Sequence, residues 1–227
     1  MTEKMKKQSN RSCDVLIIGG GSAGLRAAID AHDAGAHVLM ISKSRKGDPH
    51  TVLARGGINA ALATMDPEDN WMIHAADTLR EGEFLADYNK VEVLCKNAPE
   101  AINELVGWGA RFHREKDGRL TQRFFGAHTY RRTVFYEDWT GKEIIRVLMD
   151  QVRRRKIVVD SNHLIFDSPY VDNVYTTTPF FEFRILIILS CYPLLSCICL
   201  SLSLSRLLVG DIRNAILQRG QHIPSWQ

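Results

Sequence analysis

The chain has 227 residues, of which 45% are hydrophobic, and it carries a formal net charge of +3 at pH 7. This length suits one large domain or two small ones, and so small a charge argues against nucleic acid as a partner. Five cysteines without a metal-type spacing predict free thiols in a reducing, intracellular compartment and no metal site.

The first predicted strand, residues 14–18, is a continuous apolar run of the kind that is buried in a parallel sheet. The polar residues 1–12 before it lack the apolar region of a secretory signal, so we expect a disordered lead-in. The strand runs into Gly-Gly-Gly-Ser-Ala-Gly at residues 19–24, which matches G-x-G-x-x-G between a strand and a helix. We call residues 19–24 the glycine turn.

Each position of the glycine turn has a physical role in dinucleotide binding. Gly19 allows the tight turn out of the strand, Gly21 lets a pyrophosphate approach the backbone, and Gly24 lets helix and strand pack closely. Ser22 and Ala23 begin a helix whose free N–H groups and dipole favour a phosphate. The turn therefore predicts the pyrophosphate site of a dinucleotide cofactor.

The second predicted strand, residues 37–41, indicates which dinucleotide is bound. An NAD site normally places Asp or Glu about 20 residues after the turn, where it binds the ribose hydroxyls. Here Ser42 and Lys43 stand in that place. This departure argues against a simple NAD site and leaves FAD open, since FAD enzymes use the same turn.

The loop that follows carries His50-Thr51-Val52 and then Gly56-Gly57-Ile58. Together with Ser42-Lys43 it resembles the flavin-attachment loop of the succinate dehydrogenase and fumarate reductase flavoprotein subunits. The resemblance implies that the His50 imidazole bonds covalently to the flavin 8α-methyl carbon. It also implies that the Gly56 and Gly57 amides lie along the isoalloxazine ring and the dicarboxylate. The related L-aspartate oxidases share the Gly-Gly-Ile segment but lack the histidine.

The expected cofactor-binding residues are Gly19, Gly21, Ser22, Ala23, Gly24, Ser42, Lys43, His50, Thr51, Ala54, Gly56 and Gly57.

Turn and cap residues predict the elements that come next. Asp66-Pro67 predicts one helix start, and Asp87 and Pro99 predict two more. Asp117-Gly118 predicts a hairpin that pairs residues 110–112 with 120–122. His74, on the first of these helices, is expected to be a packed or half-exposed histidine.

The last predicted helix begins at a capping box. Thr140 and Glu143 have the spacing of that motif, and the helix is predicted to run to about Arg154. Residues 157–159 are predicted to form the next strand.

Residues 123–127 resemble the Arg-x-Phe-Gly-Gly stretch of the same family, with Ala127 in place of the second glycine. The resemblance implies that the Phe125 ring closes over the dicarboxylate and that Phe125 and Gly57 line the substrate. For Arg131 and Arg132 two interpretations stay open: they orient anionic groups, or they form structural ion pairs.

The resemblance ends near residue 166, which predicts an FAD-binding domain over residues 13–167 and an atypical tail over 168–227. The family's later segments, which contribute the dicarboxylate-binding arginines and the acid–base group, do not follow, so no catalytic residue is assigned. Residues 185–204 are apolar or serine and long enough to span a bilayer, although Pro193 disfavours a regular helix. The alternative interpretation of this tail is an artefact of gene prediction.

The expected fold is α/β, a Rossmann-like parallel sheet with helical insertions that is incomplete on its C-terminal side. By resemblance the function is an FAD-dependent oxidoreductase that interconverts succinate and fumarate. Its implied partners are membrane anchor subunits and an iron–sulfur subunit, at the cytoplasmic or matrix face of an energy-transducing membrane. The alternatives are an L-aspartate oxidase-like flavoenzyme and a non-catalytic FAD-binding fragment.

Overall fold

The computed structural model describes residues 11–42, 49–161 and 181–188. In chain order the elements are β1 (Arg11–Ile18), α1 (Ser22–Asp33), β2 (Val38–Ser42), a 3-10 helix (His50–Leu53), β3 (Ile58–Asn59), α2 (Trp71–Glu81), α3 (Tyr88–Gly107), β4 (Gln122–Arg123), β5 (Thr133–Val134), α4 (Thr140–Arg154), β6 (Val158–Ser161) and β7 (Phe181–Ile188).

The main sheet is parallel, with four strands in the order β6-β2-β1-β7. Residues 15–17 of β1 and 38–41 of β2 are almost fully buried, as continuous apolar runs in a covered parallel sheet should be. Leu25 and Ile29 of α1 share one core with Ile144 and Leu148 of α4. The predicted α/β fold class is thereby confirmed, as are the strands that became β1, β2 and β6.

A second, three-stranded antiparallel sheet has the order β3-β5-β4. The predicted Asp-Gly turn is present, with Gly118 at φ +88°. The predicted pairing of 110–112 with 120–122 is wrong: the turn closes on a single bridge between Arg114 and Leu120. Gln122 pairs instead with Val134 of β5, which is fully buried.

The helix predicted to begin at Asp66-Pro67 begins at Trp71. The Asn70 side chain caps it by accepting hydrogen bonds from the backbone N–H groups of Met72 and Ile73. Asp66 does not act as a cap because its carboxylate binds the Arg131 side chain and backbone. The ion pair with Arg131, which is distant in the sequence, therefore prevents Asp66 from capping the helix.

The two helices predicted at Asp87 and Pro99 are one helix, α3. Asp87 is its N-cap, as predicted, and accepts from the N–H groups of Asn89 and Lys90. Pro99 lies inside the helix, although proline lacks the N–H of one helical hydrogen bond. Cys95 before it and Ile102 after it are both fully buried, so a break at Pro99 would expose apolar surface on both sides.

Helix α4 begins at Thr140 as predicted, but not with a capping box. Trp139 is its N-cap without a side-chain hydrogen bond, and the Thr140 hydroxyl accepts from the Tyr136 N–H. The Glu143 side chain, buried, accepts hydrogen bonds from Arg111 and Arg146. The capping box is therefore replaced by an ion-pair centre that ties α4 to the segment after α3.

Glu143 gives the fold a defined acid sensitivity. Burial alone would raise the pKa of the Glu143 carboxyl, but the hydrogen bonds from Arg146 and Arg111 outweigh burial and lower it from 4.5 to about 2. A carboxyl with a lowered folded-state pKa stabilises the fold above its unfolded pKa, and this stability is lost as pH falls through the folded one. We expect the free energy of unfolding to fall between about pH 4.5 and pH 2, and to fall less steeply in Glu143→Gln. Urea denaturation at a series of pH values measures this slope; equal slopes in both proteins would contradict the assignment.

The part of the tail that the structure describes is a strand. β7 pairs in parallel with β1, so Ile185 to Ile188, the first residues of the candidate membrane segment, belong to the main sheet. The rest of that segment, the rest of the tail and residues 1–10 of the lead-in lie outside the described residues. Within the described ranges no helix is both long enough and apolar enough to cross a bilayer.

Candidate functional site

The glycine turn connects β1 to α1 with two close backbone approaches. Gly19 has φ +124°, and its N–H donates to the Ile41 carbonyl at the end of β2, 2.9 Å away. A Cβ atom on Gly24 would lie 1.9 Å from the Gly19 carbonyl oxygen. Both positions therefore require glycine, for the reasons predicted from the motif.

The start of α1 has the features of an anion site. Gly21 is the N-cap, no side chain caps it, and no acidic residue lies in the first turn. The Ser22 N–H donates to the Thr51 hydroxyl at 3.4 Å. A Cβ atom on Gly20 would lie 2.8 Å from the Ser42 hydroxyl, so Ser42 packs directly against the turn. Uncapped N–H groups beside a glycine backbone fit a pyrophosphate.

The loop of residues 49–57, which we call the histidine loop, is held in place by contacts with the start of α1 and with α4. Thr51, buried, lies against the start of α1 through its contact with Ser22. On the other side the Gly141 N–H donates to the Ala54 carbonyl at 2.9 Å, and a Cβ on Gly141 would lie 1.9 Å from the Thr51 carbonyl oxygen. His50, directly before the first anchor, has an exposed side chain, so its imidazole is accessible.

The end of the histidine loop meets Phe125. A Cβ atom on Gly56 would lie 2.9 Å from the Phe125 ring, so this phenyl group covers Gly56 while remaining 53% exposed. Gly57, at φ +123°, abuts β5, because an added Cβ would lie 2.4 Å from the Thr133 methyl group. Arg123 donates a hydrogen bond of 2.8 Å to the Gly56 carbonyl. Arg123 is the arginine of the Arg-x-Phe stretch, but sequence reasoning missed its contact with Gly56 and the packing role of Gly141, since both depend on contacts between distant segments.

The structure separates the two open interpretations of the arginines. Arg132 is fully buried and binds the carboxylates of Asp69 and Asp77. Arg131 binds Asp66 and the Met65 carbonyl. Both arginines thus form structural ion pairs rather than offering free cations to a ligand.

His74 is a packed histidine, as expected. It is buried, and its ring lies edge-on to His128 with the centroids 6.3 Å apart. Burial lowers the pKa of His74 to about 3, and the charge of Arg132 acts in the same direction. The imidazole is therefore neutral at physiological pH. In the described ranges, no group of three or more His, Cys, Asp or Glu side chains is arranged to hold a metal ion.

Most of the expected cofactor residues come together around one surface. The glycine turn contacts Ser42 and Thr51, and the histidine loop continues from Thr51 to the Gly56–Phe125 contact. Lys43 lies outside the described residues. A parallel sheet, an uncapped glycine turn at its first crossover and a second glycine pair beside an exposed histidine define a dinucleotide-binding flavoprotein fold.

The chain belongs to the FAD binding domain family, whose model matches residues 14–167. It is 44% identical over 146 residues to a fumarate reductase (CoM/CoB) subunit of Methanothermobacter marburgensis, covering 64% of this chain and 27% of that protein. It is 40% identical over 152 residues to the succinate dehydrogenase flavoprotein subunit of Rickettsia bellii, covering 63% and 25%. The Sdh1 complex of Mycobacterium smegmatis superposes with a TM-score of 0.70 at 34% identity, covering 79% of this chain and 34% of that one.

These similarities agree with the resemblance seen in the motifs, including its relation to L-aspartate oxidase. The chain is 37% identical over 160 residues to L-aspartate oxidase 2-a of Nicotiana tabacum, covering 70% of this chain and 24% of that protein. In each case the chain spans about a quarter of the length of the curated relative.

Proposed function

We propose that the chain is the FAD-binding part of an oxidoreductase of the succinate dehydrogenase and fumarate reductase type. The observation that carries this proposal is the direct packing of the glycine turn against the histidine loop through Ser22 and Thr51. This contact brings a phosphate-binding helix start next to an accessible imidazole. FAD needs these two features close together, because its pyrophosphate and its flavin ring belong to one molecule.

Each part of the proposed cofactor has candidate binding residues. The glycine turn and the start of α1 hold the pyrophosphate, with Ser42 packed beside them and Lys43 next in the chain. Gly56 and Gly57 face the isoalloxazine ring. Bound FAD supplies two-electron redox chemistry, and the protein contributes its position and its electrostatic surroundings.

His50 is the residue that we propose to hold the flavin covalently. Its imidazole is exposed beside a backbone that Thr51 and Ala54 anchor, so the nitrogen is held near the cofactor at little entropic cost. With FAD bound, His50 would hold it through a bond between the imidazole and the 8α-methyl carbon, formed with loss of one proton from each partner and of two electrons to dioxygen.

The proposed substrate is a dicarboxylate, bound between Gly57 and the ring of Phe125. The exposure of Phe125 over Gly56 supports this placement, because the ring can move without disturbing the core. The proposed partners are membrane anchor subunits and an iron–sulfur subunit, at the cytoplasmic or matrix face of a membrane. Support comes from the names of the relatives, two of which are called subunits.

An L-aspartate oxidase-like activity is the alternative that the similarity to the tobacco enzyme supports. The presence of His50 favours the dehydrogenase and reductase type, since the resemblance separates the two groups at this residue. The third candidate is a non-catalytic FAD-binding fragment. The FAD site itself is common to all three, so it is tested first.

Gly24→Ala tests the FAD site. The added methyl group would lie 1.9 Å from the Gly19 carbonyl, so the turn must open, and we expect FAD binding to fall by at least about a hundredfold. Flavin fluorescence quenching during titration of the full chain measures the affinity. Gly107→Ala is the matched control: it lies at the end of α3, nothing lies within 4 Å of its Cβ position, and we expect unchanged binding. Equal affinities in the two variants, or no FAD binding by the wild-type chain, would overturn the proposed function.

A further inference from the structure

Arg123 makes a contact that neither the motifs nor the resemblance assigns. It lies on β4, on the far side of β5 from β3, and its Nη2 atom reaches the Gly56 carbonyl at 2.8 Å. Its guanidinium lies over the Phe135 ring, 4.1 Å from the centroid, and that ring also stacks on His113 at 4.7 Å. The guanidinium is therefore held in one plane by an aromatic stack.

The hydrogen bond from Arg123 fixes one peptide unit of the histidine loop. The peptide between Gly56 and Gly57 is trans, so its C=O and N–H groups point in opposite directions. Because Arg123 holds the carbonyl, the Gly57 N–H points away from Arg123. The Cα atom of Gly57 is held independently, since a Cβ there would lie 2.4 Å from the Thr133 methyl group and 2.7 Å from the Val134 carbonyl. The hydrogen bond from Arg123 and the packing of Gly57 against β5 together fix the direction of the Gly57 N–H.

One atom of Arg123 is left without a partner. Its Nε is buried, and no residue in the described ranges accepts a hydrogen bond from it. A buried donor without an acceptor costs free energy, so residues in this state are often completed by a ligand. Next to Gly56 the fitting acceptor is a carbonyl or anionic oxygen.

We propose that Arg123 is a positioning residue that aims the Gly57 amide at the flavin ring, an inference that rests on the proposed FAD site. It acts through the Gly56 carbonyl. Loss of the guanidinium lets the Gly56–Gly57 peptide rotate, which removes one donor that the loop offers to its ligand. Charge-assisted hydrogen bonds are among the stronger ones, so the effect on ligand affinity is measurable.

Arg123→Gln and Arg123→Lys in the full chain test this proposal. We expect Arg123→Gln to weaken FAD binding about tenfold, to shift the visible absorption band of bound flavin and to move the Gly57 amide resonance in NMR spectra. Arg123→Lys keeps the charge but not the planar fork, and we expect it to restore binding only in part. The control is Arg114→Gln, which removes an arginine that also donates to a backbone carbonyl, that of Gly118 in the distant turn. It should leave affinity, spectrum and resonance unchanged.

Phe135→Leu keeps Arg123 but removes the ring that orients it. We expect a smaller change in the same direction, and Arg123→Gln should add less in this background than in the wild type, because both act on one contact. If Arg123→Gln fails to fold by circular dichroism, Arg123→Lys and Phe135→Leu decide the matter. Wild-type affinity, spectrum and Gly57 resonance in the folded Arg123 variants would overturn the proposal. If the wild-type chain binds no FAD, the proposed function fails, and the Gly57 resonance of ligand-free Arg123→Lys still tests whether Arg123 orients this amide.

Discussion

Replacing His50 with alanine is expected to abolish covalently bound flavin. When the wild-type chain is incubated with FAD, denatured and separated by gel electrophoresis, the protein band should fluoresce, and the His50→Ala band should be dark. Non-covalent binding should survive the substitution, since the glycine turn that holds the pyrophosphate is untouched. His50 is exposed, so its loss should leave the free energy of unfolding nearly unchanged.

The matched control for this experiment is His32→Ala. His32 is a partly exposed histidine in the last turn of α1, where its partner is the neighbouring Asp33. The fluorescence of its denatured band should equal that of the wild type. A dark wild-type band, despite FAD binding in the native state, would contradict the covalent bond and favour the L-aspartate oxidase-like alternative. A fluorescent His50→Ala band would assign the bond to another residue.

Replacing Arg132 with methionine is expected to cause the largest loss of stability in the described part of the chain. The Arg132 side chain is 0% exposed and binds Asp69 and Asp77, whose side chains are 0% and 2% exposed. Removing one partner of a buried ion pair leaves unpaired charge in the interior, which typically costs about 3–5 kcal/mol. Here two carboxylates lose the same partner. Burial already raises the pKa of Asp69, with the opposing effect of Arg132 insufficient to restore it.

Urea denaturation of Arg131→Met provides the comparison. The neighbouring arginine is 37% exposed and pairs with Asp66, so its loss should cost no more than about 1 kcal/mol. Combining Arg132→Met with Asp69→Asn and Asp77→Asn should recover part of the lost stability, because the stranded charges are removed. Similar losses in Arg131→Met and Arg132→Met would show that the buried network is not the main contributor.

Elements that depend on local patterns could be predicted from the sequence. β1, β2 and α1 follow from a buried apolar run, a glycine turn and helical periodicity, all within residues 11–42. Every turn of this kind brings two backbone segments close together, as at Gly24 and the Gly19 carbonyl, so the residues there must be glycine. Gly56 and Gly57, in contrast, are singled out only by the resemblance, which does not predict their packing against Phe125 and Thr133.

The failed predictions share a different cause. Asp66 and Glu143 have the right chemistry for caps, but arginines distant in sequence, Arg131 and Arg111, bind their carboxylates instead. Pro99 is tolerated because buried residues on either side of it keep the helix intact. Local preferences amount to about 1 kcal/mol, and a buried contact outweighs them. The contact of Arg123 with Gly56 could not be predicted for the same reason, since the two residues are far apart in the sequence.

The order of the main sheet also governs how the chain is made. β1 and β2 emerge from the ribosome before their outer partners, because Leu39 pairs with Val158 and Val15 pairs with Ile185. Closing loops of this length costs entropy before any strand pairs, so topologies of this kind fold slowly. Until β6 and β7 are synthesised, both edges of the β1–β2 pair are unpaired and can pair with strands of other chains. Chaperones protect folding intermediates that expose such edges. The glycine turn is therefore synthesised before the two strands that complete the sheet around it.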